Sequence, residues 1–218
     1  MYNDREIIAE HYDSMQYYMH YLEQFGFEGP NTAYGDWLNY DVTDKRYIAV
    51  AYYAYDAGLM EKFSRILGKT EEEEYYRLLR ERIVKHWHEK YVEDGELTIK
   101  TQTGYILALA FDLVEGEERE RFIGRLRDAI VSNNYTLSTG FVGTGLLNQT
   151  LSKVGLDDLA YSLLLQTADP SWLYSVRQGA TTVWERWNSY TIAKGFGDVG
   201  MNSFNHYAYG AVLEWMYK

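Results

Sequence analysis

Glu185 stands between Trp184 and Trp187, with Arg186 beside it, in the stretch Gly179-Ala-Thr-Thr-Val-Trp-Glu-Arg-Trp187. Eighteen residues after that carboxylate comes Ser203-Phe-Asn-His-Tyr-Ala-Tyr-Gly210, a second cluster of aromatic and hydrogen-bonding groups. Sugar recognition uses this mixture: flat rings take the C–H side of the sugar, and charged or amide groups take its hydroxyls. A carboxylate held among such groups can activate a water, which is the base half of glycoside hydrolysis. The same residues fit a plainer reading, a Glu185–Arg186 pair buried at the mouth of a helical domain. Residue types alone leave both open.

The elements that must position these groups are helical nearly throughout. Ile8, Met15, Tyr18, Met19, Leu22 and Phe25 recur at helical spacing from about Asp4 to Phe25, and Gly26 follows as a stop. Residues 27–41 read as a loop that carries Gly35-Asp36-Trp37. Thr43 can cap a long helix that ends near Gly68. Thr70 with Glu73 forms a capping box for the next, which runs to about Tyr91. Further helices are expected over Thr101–Val114, Glu117–Ser132, Leu146–Lys153 and Asp157–Thr167. A short one follows, capped by Asp169 with Pro170 at its first position and closed by Gly179. Residues 180–200 read as loop or extended chain, with a strand hint only at Thr181–Trp184, and Asn202–Tyr217 as a final helix. The fold class is therefore all-α, with eight or nine helices whose motif-bearing loops collect on one face. His86, His88 and Glu71–Glu74 read as solvated helix faces.

Composition narrows the partners. The chain has 218 residues, 46% of them hydrophobic, enough for one sizeable core and read here as a single domain over 1–218. A formal charge of −11 argues against nucleic acid and against anionic membrane surfaces. No apolar run approaches a membrane span, and no cysteine is present to form a disulfide or a thiolate metal site. The charged start, Met1-Tyr-Asn-Asp-Arg-Glu, has no apolar core of a signal peptide, so a cytoplasmic location is the expectation. The 22 tyrosines and six tryptophans are explained first by packing between helices and only second by sugar stacking.

Gly179–Trp187 followed by Met201-Asn-Ser-Phe-Asn-His-Tyr-Ala-Tyr-Gly-Ala211 resembles glycoside hydrolase family 78, the bacterial α-L-rhamnosidases. Further matches run in the family's order: Tyr34-Gly-Asp-Trp-Leu38, Thr101-Gln-Thr103, Thr139-Gly-Phe-Val-Gly-Thr144, and Leu163-Leu-Leu-Gln-Thr167 leading to Pro170-Ser-Trp-Leu-Tyr174. The resemblance implies an (α/α)6 barrel of twelve helices, of which this chain holds too few to close the ring. It implies an incomplete barrel, the C-terminal two-thirds of the catalytic domain. A Cys-Pro-x-Arg-x-Glu-Arg-type segment that bears the family's general acid has no counterpart in the chain.

The resemblance also implies roles. The family inverts configuration with an acid that protonates the leaving oxygen and a base that deprotonates water. Glu185 falls on the base position, Trp37 on an aromatic residue of the rhamnose pocket, and His206 on a sugar-contacting histidine. Asp36, Trp184 and Trp187 join these as candidate substrate-binding residues. Each has a structural alternative. Asp36 could brace its loop or stand in as the acid, Trp37 could plug the core, and His206 could be a buried, hydrogen-bonded histidine. Of the two tryptophans flanking Glu185, at least one is expected to pack inward. The expected substrate is a rhamnose-containing glycoside, with no metal and no cofactor. Without an acid the chain is expected to be weakly active or inactive. It would then be a non-catalytic carbohydrate-binding or structural remnant, or one subunit of a split enzyme closed by a second copy or a complementing chain.

Overall fold

A computed structural model describes residues 4–30 and 34–218. The first three residues of the charged start, and residues 31–33 of the loop expected over 27–41, lie outside the described residues. The chain forms two compact units. One contains α1–α3 and a small ladder; the other contains residues 34–43 and 99–218. Among the described residues the architecture is all-α, with nine α-helices, one 3-10 turn and two two-residue antiparallel ladders. None of these helices is long and apolar enough to cross a membrane.

In the first unit, α1 (Arg5–Glu23) begins where Asp4 accepts from the Glu6 and Ile7 N–H groups. Helix α2 (Lys45–Leu67) is capped by Asp44, whose side chain takes the Arg46 and Tyr47 N–H groups. It ends at Gly68 in the left-handed conformation. Asp44, one residue later than Thr43, is thus the cap. Helix α3 (Thr70–Tyr91) starts at Thr70 itself, so the expected capping box does not form. The reason lies in the sharp reversal at Gly68 and in Arg65, which draws the Glu73 carboxylate to 2.7 Å. The core consists of fully buried Tyr12, Met19, Tyr47, Tyr53, Tyr76, Ile83 and Trp87. His86 is not a solvated side chain: it is half-buried and meets Glu28 at 3.0 Å. The β1–β2 ladder (Val92–Glu93 with Glu96–Leu97) closes the unit.

In the second unit, α4 (Gln102–Ala110) is apolar on every side and almost entirely buried, as a central helix must be. Helices α5 (Gly116–Ser132) and α6 (Phe141–Lys153) pack against it, and α7 (Asp157–Leu164) packs against α6. Helix α6 begins five residues before the expected start at Leu146. The short α8 (Trp172–Arg177) is capped by the Ser171 hydroxyl, which accepts from the Tyr174 N–H at 3.1 Å. Pro170 therefore precedes the helix, and the Asp169 carboxylate is engaged elsewhere. Residues 190–196 form the second ladder, β3 (Tyr190–Thr191) with β4 (Gly195–Phe196). The expected final helix is shorter: a 3-10 turn over Ala208–Ala211 leads into α9 (Val212–Tyr217). Residues 202–207 are instead drawn alongside the Glu185 segment by backbone hydrogen bonds, which takes them out of any helix.

Candidate active site

The quoted motifs converge on the N-terminus of α6. Asp36 is buried, and its carboxylate accepts from four donors. They are the Thr103 hydroxyl and the N–H groups of Gly140 at 2.8 Å, Val142 at 2.8 Å and Gly143 at 3.1 Å. A carboxylate is favoured there by the partial positive charge of the unpaired N–H groups. Asp36 thus caps α6 from 104 residues away. Two glycines permit the approach. A Cβ on Gly140 would stand 2.2 Å from the Trp37 carbonyl oxygen, and one on Gly143 would stand 2.3 Å from the Thr103 hydroxyl. Gln102 completes the brace by donating to the Thr136 carbonyl at 3.1 Å and accepting from the Ser138 N–H at 2.9 Å.

This clamp fixes the backbone of Trp37, whose carbonyl accepts from the Phe141 N–H at 2.9 Å. Its ring stays 38% exposed and meets Tyr34 edge-on at 5.4 Å. Behind it, the Phe141 ring lies 4.8 Å from the His206 imidazole. His206 Nδ1 accepts from the Ala208 N–H at 3.3 Å, which places the proton of the neutral ring on Nε2 as a donor. The exposed Tyr207 ring lies nearly parallel to the imidazole, 5.3 Å away.

Residues 182–186 and 201–206 run antiparallel. The His206 N–H donates to the Val183 carbonyl at 2.8 Å and the Glu185 N–H to the Ser203 carbonyl at 2.9 Å. The Ser203 N–H donates back to Glu185 Oε2 at 2.8 Å, whereas Oε1 has no partner among the described residues. Arg186 does not pair with Glu185. Its Nε donates to the Met201 carbonyl at 3.2 Å, and its guanidinium faces Asp198 at 3.9 Å. Glu185 is therefore half-buried and oriented through one oxygen, with the other available.

Glu185, His206 and Trp37 are thus joined by consecutive contacts. Asp36, Trp184 and Trp187 are placed differently: all three are buried, and their side chains are occupied by the protein. Trp187 stacks on Tyr209 at 3.9 Å and meets Trp172 edge-on at 5.3 Å, while Trp184 meets Phe204 edge-on at 5.3 Å. A turn, with the Ser189 N–H on the Arg186 carbonyl at 3.2 Å, ends the extended run that carries Glu185. Tyr209, given no role from the sequence, is fully buried, and its hydroxyl has no partner among the described residues. Burial, then the nearby Tyr40 and Asp36, raises that phenol well above the usual tyrosine range. Ser203 was also missed, since its contribution is a backbone N–H that only the chain pairing reveals.

Exposed rings, an imidazole and a carboxylate held through one oxygen thus lie on the loops of an all-helical fold. The chain belongs to the bacterial alpha-L-rhamnosidase 6 hairpin glycosidase domain family, which it matches over residues 1–218. It is 43% identical, over 99% of its length, to an alpha-L-rhamnosidase of Streptomyces avermitilis, and 40% identical, again over 99%, to one of Formosa agariphila. The chain spans 21% and 24% of the lengths of these curated relatives, respectively. The crystal structure of the Streptomyces avermitilis alpha-L-rhamnosidase complexed with L-rhamnose superposes with a TM-score of 0.94 at 42% identity, covering 99% of this chain and 21% of that one. The native enzyme of Aspergillus terreus gives 0.87 at 32% identity, covering 98% and 26%.

Proposed function

We propose that this chain supplies the water-activating side of an inverting α-L-rhamnosidase site for terminal α-L-rhamnosides. The observation that carries the proposal is Glu185, with one oxygen fixed by the Ser203 N–H and the other open, on a segment hydrogen-bonded at Val183 to His206, while Phe141 links His206 to the exposed Trp37. Glu185 Oε1 takes a proton from the attacking water as the water adds to the anomeric carbon opposite the leaving oxygen. The Trp37 ring takes the apolar face of the sugar, and His206 Nε2–H donates to a hydroxyl. Asp36, Trp184 and Trp187 hold these groups in place from behind. Asp36 is fully engaged by its four donors, so it is not the acid that protonates the leaving oxygen.

General acid help is worth about 10²–10⁴ in rate. An aryl α-L-rhamnoside with a good leaving group needs little of it, so such a substrate reads the base and the pocket alone. Turnover by the chain that disappears in Glu185→Gln, with the inverted anomer of rhamnose released first in NMR, is the expected result. Equal turnover in both proteins, or release of the retained anomer, removes Glu185 as the base.

One observation favours a second reading, completion by a complementing chain or a second copy. In the first unit, α1 and α2 enclose an open groove of about 250 Å³ lined by Met15, Met19, Leu59 and Phe63, with the carboxylate of Asp56 at its edge. Sedimentation of the chain alone tests it. A monomer at micromolar concentration speaks against a second copy.

A further inference from the structure

The second unit holds a polar cavity of about 660 Å³ that the proposed hydrolysis does not use. Its wall includes Tyr40, Asp41, Lys100, Ser138 and Asp169. Asp169 accepts from the Asn188 amide at 3.2 Å and from the Tyr40 hydroxyl at 3.5 Å, and Asn188 directly follows Trp187. Tyr40 lies three residues beyond Trp37, a stretch of chain reaching at most about 10 Å. The cavity is thus tied to the candidate site by two separate chain segments.

Its chemistry is specific. Tyr40 is 53% exposed and offers a ring face on the same loop that presents Tyr34 and Trp37. The Lys100 ammonium, the Asp41 carboxylate and the Ser138 hydroxyl line the cavity without side-chain partners among the described residues, so donors and acceptors both remain available. Mixed donors and acceptors around one aromatic face suit sugar hydroxyls and ring C–H groups. Two carboxylates against one ammonium disfavour an anionic ligand. Burial already raises Asp169 above the usual carboxylate range, so a further negative charge beside it is costly.

We infer that this cavity is a second sugar subsite, which binds the neutral sugar linked to rhamnose on the leaving-group side. The inference rests on the proposed rhamnoside site. Tyr40 stacks on that sugar, and Lys100 and Asp41 engage its hydroxyls.

Titration calorimetry on the 218-residue chain tests it, with L-rhamnose, an α-L-rhamnosyl-glucose disaccharide and the matching rhamnosyl-glucuronate as ligands. The disaccharide is expected to bind on the order of ten-fold tighter than rhamnose. That ratio should fall toward one in Tyr40→Ala and in Lys100→Ala, with thermal unfolding showing both variants folded. The glucuronate should lose most of the gain. A disaccharide no tighter than rhamnose, or a ratio that survives both substitutions, overturns the subsite and leaves the Glu185 reading standing. A glucuronate as tight as the glucose compound overturns its neutral class. Failure of rhamnose itself to bind counts instead against the rhamnoside site.

Discussion

Asp36 and Glu185 are carboxylates of the same unit in opposite circumstances. Asp36 is buried and both its oxygens are shared among four donors, three of them backbone N–H groups of one helix terminus. Glu185 is half-buried, held through one oxygen by one N–H, and open at the other. A carboxylate whose lone pairs are all taken has no acceptor left for a proton or a sugar hydroxyl, and its role is to fix the helix it caps. One that is oriented through a single oxygen can still accept a proton. Both lie in motifs shared with the rhamnosidase family, so motif membership does not separate the two roles. Their hydrogen-bond complement does.

The sharpest way to break this contrast is Asp36→Ala. It leaves three N–H groups and one hydroxyl unpaired in the interior, each costing about 1–3 kcal/mol before relaxation. A net loss of about 3–5 kcal/mol is expected, comparable to removing one partner of a buried ion pair. Urea denaturation followed by tryptophan fluorescence would register it, and a loss under 1 kcal/mol would mean that α6 is capped in some other way. Glu185→Gln should do the reverse. Rhamnoside turnover should drop by about 10²–10⁴, while stability stays within about 1 kcal/mol, as for other exposed or half-exposed substitutions. If Glu185→Gln destabilises as much as Asp36→Ala, both carboxylates are structural and the comparison collapses.

The first unit provides a third carboxylate, this one without donors among the described residues. Asp56 sits beside an apolar groove, and burial raises its carboxyl to about 6. The unfolded chain ionises first, near 4. Between about pH 4 and pH 6 the native state therefore holds the extra proton, and stability falls as pH rises; above about 6 the loss is complete. The charged form costs on the order of 2 kcal/mol. Asp56→Asn should flatten this slope and make the protein more stable at pH 7, measured as the difference in unfolding free energy between pH 4 and pH 7. An unchanged slope would show that Asp56 finds a partner in solution.

What was legible in the sequence follows the same division between local and distant partners. The start of α1 at Asp4 and the end of α2 at Gly68 were readable because cap and helix are adjacent in the chain. The start of α6 was not, because Gly140 has no side chain and the capping carboxylate comes from Asp36. Thr70 and Glu73 had the right spacing for a capping box, but Arg65 took the glutamate. Residues 202–207 carry helix-compatible types, yet Ser203 and His206 are bonded to Glu185 and Val183. For the site, the resemblance singled out Glu185, Trp37 and His206 as candidates. It could not reveal that Asp36, Trp184 and Trp187 face inward, since that depends on a glycine-permitted contact and on a turn after Arg186.

The smallest effect is expected at His206, and it tests whether the open side of Glu185 faces a ligand at all. Its Nδ1 is taken by the Ala208 N–H, so the only donor it can offer is Nε2–H. A neutral hydrogen bond is worth about 0.5–1.5 kcal/mol, which corresponds to at most about a ten-fold change in affinity. His206→Ala should weaken L-rhamnose binding by up to that factor. His206→Gln, which keeps a side-chain amide donor, should recover part of the loss. A purely structural imidazole gives another pattern, since Phe141 and Tyr207 pack on the ring and not on its proton. In that case His206→Gln loses stability as His206→Ala does, rhamnose affinity follows stability in both, and the donor role assigned to Nε2 is removed.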